Sequence, residues 1–310
     1  MTQSANTNQT ATTETVGLGL AAPAVVPKSL AKQMSGIEWT DFTCNWWGGC
    51  TQVRGSNDAC DGAAGLSGCD ICYAKFFGEN RLDLEWGPGA ERRVFKSTPA
   101  KMRRLDRLAE ETGLPFAVFG FSLADWLDPE AAARERHAFM DLVEDCRHLT
   151  WLLLTHRPHL FGKLAGGRWD PVRGALPENV WPGVTLDRAA HAKRWYDHRA
   201  VFGDTGRAWI SAEPLLSSLE GVDLSGAASL IAGGASNTND PRYAADPSWL
   251  DELIERRNGD LHLKQWGNFG EDGQLVGKKA AGRSRRGQTY DALAWATHRP
   301  LLKAAAAGVA

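Results

Sequence analysis

Residues 43–74, TCNWWGGCTQVRGSNDACDGAAGLSGCDICYA, hold five of the chain's six cysteines: Cys44, Cys50, Cys60, Cys69 and Cys72. The sixth, Cys146, lies in a helical pattern. Thiolates bind zinc and iron–sulfur clusters, and the C-x2-C spacing of Cys69 and Cys72 can turn both sulfurs toward one centre. Cys50 is the natural third ligand, because Gly48-Gly49 before it permits a tight turn and Gly68 gives the same freedom ahead of Cys69. The pattern is then C-x18-C-x2-C. Three ligands leave one iron of a cubane open to bind something else. The alternative is four-thiolate structural zinc, with Cys44 and either Cys50 or Cys60 joining the pair. Residue types alone leave zinc and iron–sulfur equally placed. The segment is rich in Gly, Asp and Asn, buries little apolar surface, and needs some such tie to order it.

The other chemistry-bearing residues fall where short apolar runs stop. They are Ser122 and Asp125; Thr155, His156 and Arg157; Thr185 and Asp187; Glu213; Ser236 and Asn237; Lys264 and Gln265. Asp125 and Glu213 are candidates for acid–base or ligand-holding work, with Ser122 beside them. Arg157 has the fork geometry to grip a carboxylate or phosphate. Gly233 and Gly234 would let the backbone approach a ligand, and Ser236 and Lys264 complete the candidate cofactor contacts. Each has a plainer reading. Asp125 would cap a helix ahead of Trp126, Arg157 and His156 would be structural at the turn before Pro158, and two glycines would make a tight turn. Polar strand ends also meet solvent, which explains any one pair better than the whole series.

Positioning such a series takes repeated strand–helix units. PFAVFGFS (115–122), LTWLLLT (149–155), NVWPGVTL (179–186), RAWISAEPL (207–215), ASLIAGGA (228–235) and LHLKQWG (261–267) are short and nearly continuous, as suits strands buried on both faces of a parallel sheet. A further short strand near 37–45 feeds the cysteine segment. Between them lie helical patterns: YAKFFGENRL after Cys72, 98–112 with Pro99 in the first turn and Gly113 at the end, a helix opening at Asp128-Pro129, 187–202, and 246–257 with a glycine stop. The alternation predicts an α/β fold, a partial TIM-like (β/α)6–7 barrel with a cysteine-rich N-terminal loop, over an open doubly wound sheet. In either, the strands' carboxyl ends carry the site.

Net charge is −2 and pI about 6.5, so no global field draws the chain to nucleic acid or membrane. No apolar run is long enough to span a bilayer. Residues 1–34 read as a disordered tail without a secretory signal, which points to a cytoplasmic protein. One domain is expected over 35–295, with the cysteine loop at 43–74, and 296–310 as a dispensable tail. Lys278, Lys279, Arg283, Arg285 and Arg286 form a basic cluster that would meet nucleic-acid phosphates, with a solvated surface as the plainer reading.

The ordered motifs IEWTD, the Gly-Cys pairs at Cys50 and Cys69, CYA at 72–74, SLADWLD, LTHRP, NVWPGVTLD, ISAEPLL, GGASN, LKQWG and VGKKAAGR resemble a phage and bacterial three-cysteine-motif family of unknown function, itself remotely similar to radical SAM enzymes. The resemblance runs over about 36–286. It implies a radical-SAM-like barrel in which Cys50, Cys69 and Cys72 hold a [4Fe-4S] cluster, S-adenosylmethionine binds the open iron, and an unidentified donor supplies electrons. The chain departs from the family in the long gap after Cys50, in Ala235 where Gly-Gly-Glu is usual, and in Ile71 before the last cysteine. Three functions follow as expectations: a radical-SAM-like enzyme acting on nucleic acid or a nucleotide, a zinc-stabilised nucleic-acid-binding protein without catalysis, and a cluster protein for redox sensing or electron transfer.

Overall fold

The computed structural model describes residues 26–53 and 66–308. Seven strands form one sheet: β1 (Phe42–Cys44), β2 (Ala117–Gly120), β3 (Thr150–Thr155), β4 (Val180–Thr185), β5 (Trp209–Ala212), β6 (Ser229–Gly233) and β7 (Asp260–Gln265). Every neighbouring pair is parallel, and the spatial order is the chain order. A doubly wound sheet reverses its order part-way across. This one does not, and it curls into a half-barrel.

The longer helices are α1 (Tyr73–Arg81), α2 (Thr98–Thr112), α3 (Ala133–Asp145), α4 (Ala192–Phe202), α5 (Pro247–Arg256) and α6 (Arg299–Ala307). α2 buries Met102, Leu105 and Ala109, one stripe at helical spacing, and stops at Gly113, whose φ of 67° reverses the chain. α5 opens where the Asp246 side chain accepts the Ser248 N–H at 2.8 Å. It ends at Arg257 in extended backbone, ahead of the expected glycine stop. α3 begins at Ala133, not at Asp128-Pro129. The Asp128 carboxylate is committed elsewhere, to Arg92 Nε at 2.8 Å and to the Glu130 N–H at 3.1 Å, so it makes a turn instead of a helix cap.

The sheet's outer face packs against the helices. Phe42, Val118, Trp151 and Leu153 meet α2 and α3, while Ile210, Leu230, Leu261 and Leu263 meet α4 and α5. The inner face is filled at its lower end by tryptophan. Trp39 lies 5.5 Å from Trp209, Trp209 5.5 Å from Trp295 and Trp295 5.7 Å from Trp181, between ring centroids. Trp295 Nε1 donates to the Trp39 carbonyl at 2.9 Å, so segments from before β1 and after β7 meet inside the open half-barrel.

The expected boundary at 295 moves. α6 buries Leu302 and Ala305 in the same core as Leu30 and Ala31. Arg299 donates to the carbonyls of Ser35, Ile37 and Thr40, at 3.0, 2.7 and 2.6 Å. Asp41, fully buried, accepts the N–H groups of His298 and Ala117. Residues 296–307 and 26–34 therefore belong to the packed body, not to tails. Residues 1–25 and Cys60 lie outside the described residues. No described helix is long and apolar enough to cross a membrane.

Candidate functional site

A pocket of about 190 Å³ opens at the carboxyl ends of the strands, with room for a small organic ligand. Eight of the expected strand-end residues line it: Ser122, Asp125, His156, Thr185, Glu213, Ser236, Asn237 and Lys264, with Gly234 beside them. Cys69 and Cys72 line it too. Its inner wall is apolar, from Trp39, Phe119 and Leu154.

The cysteine segment reaches this mouth in two halves. In the first, Cys50 is followed by Thr51, whose N–H donates to Asp128 Oδ2 at 3.2 Å. In the second, Ser67 and Asp70 cap each other's backbone in a reciprocal box, which folds Gly68–Ile71 into a 3-10 turn and starts α1 directly after Cys72. The halves are tied to each other. Ser67 Oγ donates to the Val53 carbonyl at 3.3 Å, and Gln52 Nε2 donates to the Cys69 carbonyl. Gly68 sits against Pro214, where a Cβ would come within 2.9 Å of the proline ring.

Two buried ion pairs fix these halves to the strand ends. Arg157, 1% exposed, places Nη1 3.1 Å from Asp125 Oδ2 and 3.8 Å from the Cys50 sulfur, while Nη2 donates to the Thr51 carbonyl. Asp125 also accepts from Thr155 Oγ1 at 2.7 Å and from the His156 and Leu127 N–H groups at 2.9 Å. Asp187, fully buried at the end of β4, accepts the Gly68 N–H at 2.9 Å, meets His191 Nδ1 at 2.5 Å and Arg194 Nη1 at 3.2 Å. Arg194 Nη1 in turn reaches His156 Nδ1 at 3.2 Å. A polar chain thus runs from the Cys69–Cys72 turn to Cys50 beneath the pocket.

The electrostatics follow from this burial. Burial pushes the Asp187 carboxyl up, but hydrogen bonding from His191 and the Arg194 charge more than offset it and hold it well below the carboxylate range. Asp125 is likewise held low, its burial outweighed by Arg157 and by backbone donors. Burial, then Arg194, pushes His156 down to about 4. Cys50 is raised well above an ordinary thiol by burial, against the pull of Arg157. Burial and the neighbouring Cys72 push Cys69 up to about 12, and burial also raises Cys72. Each thiol feels the next, Cys50 with Cys69 and Cys69 with Cys72. All three keep their protons near neutrality and must release them to bind metal. Among the described residues, no three His, Cys, Asp or Glu side chains are drawn closely enough together to hold a metal ion.

A family described as "Protein of unknown function (DUF5131)" matches residues 34–294. The chain belongs to that family. No curated protein and no solved structure matches it. The match runs from ahead of β1 to beyond β7, so in this DUF5131 chain it takes in the cysteine segment and all seven strands of the half-barrel.

Other residues singled out from the sequence have close neighbours of their own within the chain. Cys44 is buried on the outer side of the sheet with Cys146, in the apolar core and not at the mouth. That removes Cys44 from a four-thiolate site with Cys69 and Cys72. Gly234 serves chain-to-chain approach, since a Cβ there would stand 2.1 Å from the Trp266 carbonyl. Gly233 lies beneath the ion pair that Lys264 Nζ makes with Glu213 Oε1 from β7 to the end of β5. Arg283 pairs with Glu38 and Asp291, Arg285 with Asp251 and Glu271, and Arg286 with Asp251, while Lys278 and Lys279 are exposed. The basic cluster is thus largely answered by the chain's own carboxylates. Arg194 and His191 escaped the sequence reading. Their signal is polar residues in a helix's buried stripe, for His191, Arg194, Trp195 and His198 are all buried at helical spacing.

Proposed function

We propose that this chain is a radical-SAM-like iron–sulfur enzyme acting on a small molecule held at the mouth of the half-barrel. The observation that carries the reading is the joining of residues 51–53 to 66–69 beside the pocket, which brings the Cys50 side of the segment to the Cys69–Cys72 turn. The donor set is three thiols, and Cys50, Cys69 and Cys72 would hold the cluster. Tetrahedral zinc with bonds of about 2.3 Å needs its sulfurs within about 4 Å of one another. A cubane takes each thiolate on a different iron and leaves its fourth iron open, which suits a donor set of three thiols better than closed four-ligand zinc.

When bound, a [4Fe-4S] cluster with one open iron supplies single electrons to a ligand at that iron, the chemistry that cleavage of S-adenosylmethionine requires. The chain's own groups do the rest. Arg157, locked by Asp125, positions the Cys50 side, so both residues support the cluster segment instead of gripping a ligand. Glu213 and Lys264 present a matched charge pair on the far wall. Trp39, Phe119 and Leu154 keep water from the floor. A nucleic-acid polymer is the less favoured substrate, because the arginines of 283–286 are already engaged.

The test is product formation. Anaerobically reconstituted, reduced protein given S-adenosylmethionine should release 5′-deoxyadenosine, and the Cys69→Ala variant should not. No 5′-deoxyadenosine from protein whose iron and sulfide are intact would leave a redox or sensing role instead.

A further inference from the structure

One polar row crosses the inner face of the half-barrel just above the tryptophans. Thr185 of β4 and Ser211 of β5 are register partners, and Thr155 of β3 pairs with Val184, which brings His156 beside Thr185 as the next step. Neighbouring strands stand about 4.8 Å apart, so the three groups come from adjacent strand ends across the floor. All three line the pocket. Lower inner positions on the same strands are apolar: Leu152 and Leu154 on β3, Trp181 on β4 and Trp209 on β5.

Thr185 and Ser211 are only 3% and 4% exposed, yet neither hydroxyl has a protein partner among the described residues, and neither is sealed off. Buried hydroxyls ordinarily pair within the protein. These face the pocket instead. The His156 backbone N–H donates to Asp125 Oδ2, and Arg194 Nη1 holds the ring at Nδ1. A guanidinium has donors only, so Nδ1 accepts and the ring proton of the neutral imidazole lies on Nε2. Nε2 has no protein partner among the described residues and is not enclosed.

Charges around the row cancel. Asp125 is matched by Arg157, Asp187 by Arg194 and Glu213 by Lys264. Nothing there calls for an ion. We infer that His156, Thr185 and Ser211 form a hydrogen-bonding row that takes an uncharged, oxygen-bearing edge of the pocket's ligand, a carbonyl or hydroxyl, with His156 as the fixed donor. The ligand's apolar side would lie against Trp39, Phe119 and Leu154. The inference deepens the pocket reading above and needs no cluster to be tested.

Two measurements on the full chain without metal test it. Long-range ¹H–¹⁵N correlation on [¹⁵N]histidine-labelled protein at pH 7, assigned with His156→Gln, should show His156 neutral with its proton on Nε2. A proton on Nδ1, or on both nitrogens, overturns the inference. Benzamide and benzamidine, which share a ring and differ in carrying a carbonyl oxygen or a cation, are then titrated. Benzamide should bind saturably and move the His156 Nε2 resonance, while benzamidine binds at least tenfold more weakly. His156→Leu and Ser211→Ala should each weaken benzamide threefold or more, with His156→Gln, which retains an N–H donor, staying nearer the parent. Benzamidine binding as well as benzamide, no saturable benzamide binding, or folded variants that bind benzamide as the parent does would each overturn it. If benzamide binds so but no cluster loads, the row stands and the enzyme reading fails.

Discussion

Arg157 reaches Asp125, the Thr51 carbonyl and the Cys50 sulfur with one guanidinium, and no other residue type could serve all three. Removing one member of a buried ion pair leaves the other charge uncompensated and costs about 3–5 kcal/mol. Arg157→Ala should therefore lower unfolding free energy by about that amount, with Arg157→Lys losing less. Both should expose Cys50, so its alkylation by iodoacetamide in native protein should speed up while that of the core thiol Cys146 does not. Unchanged stability together with an unreactive Cys50 would contradict the assigned role. The sequence showed Arg157 as a residue able to grip a carboxylate. It could not show that the carboxylate is the chain's own Asp125, because that partner lies a whole strand–helix unit away. Asp125 and Glu213 were legible as strand-end residues for the same reason that their partners were not: strand ends follow from local apolar runs, and pairing follows from the sheet.

At the scale of elements, the six apolar runs all became strands, since near-continuous hydrophobic stretches between helical patterns have few other ways to be buried on both faces. α6 was illegible. Its alanines have high helix propensity, but only the position of Leu302 against Leu30 and the core shows that the helix is docked. Leu302→Ala should cost about 2–5 kcal/mol in denaturant unfolding, as for other fully buried leucines. A cost within experimental error would mean that α6 is the loose tail its composition suggested. The start of α3 was misplaced because Asp128 looks like a helix cap in sequence and is instead the buried partner of Arg92. The ties between residues 51–53 and 66–69 were foreshadowed only by the cysteines themselves, because the side chains that make them, Gln52 and Ser67, carry no pattern of their own.

For the whole molecule, buried histidines set the pH response. Burial pushes His198 down to about 3 and His262 down to about 4, against an unperturbed value of about 6.5. Between those values the unfolded chain holds protons that the folded chain does not, so stability is full above about pH 6.5 and falls as pH drops toward 4. Each such group contributes a slope of up to about 1.4 kcal/mol per pH unit. The depressed carboxyls of Asp125 and Asp187 do not reverse this, since their contribution is lost only as pH falls below the unfolded carboxylate value of about 4. Urea unfolding at pH 5 and pH 7 should show a lower midpoint at pH 5, with the difference reduced in His198→Gln. Equal midpoints would contradict it.

The proposed iron–sulfur centre draws Cys50, Cys69 and Cys72 together at the mouth of the half-barrel. Its most direct test is iron, sulfide and zinc content after anaerobic reconstitution, in the parent and in the four variants Cys50→Ala, Cys69→Ala, Cys72→Ala and Cys146→Ala. About four irons and four sulfides per chain are expected in the parent and in Cys146→Ala, with most of both lost in each of the other three. Stoichiometric zinc without sulfide, or full loading in Cys50→Ala, would contradict the account.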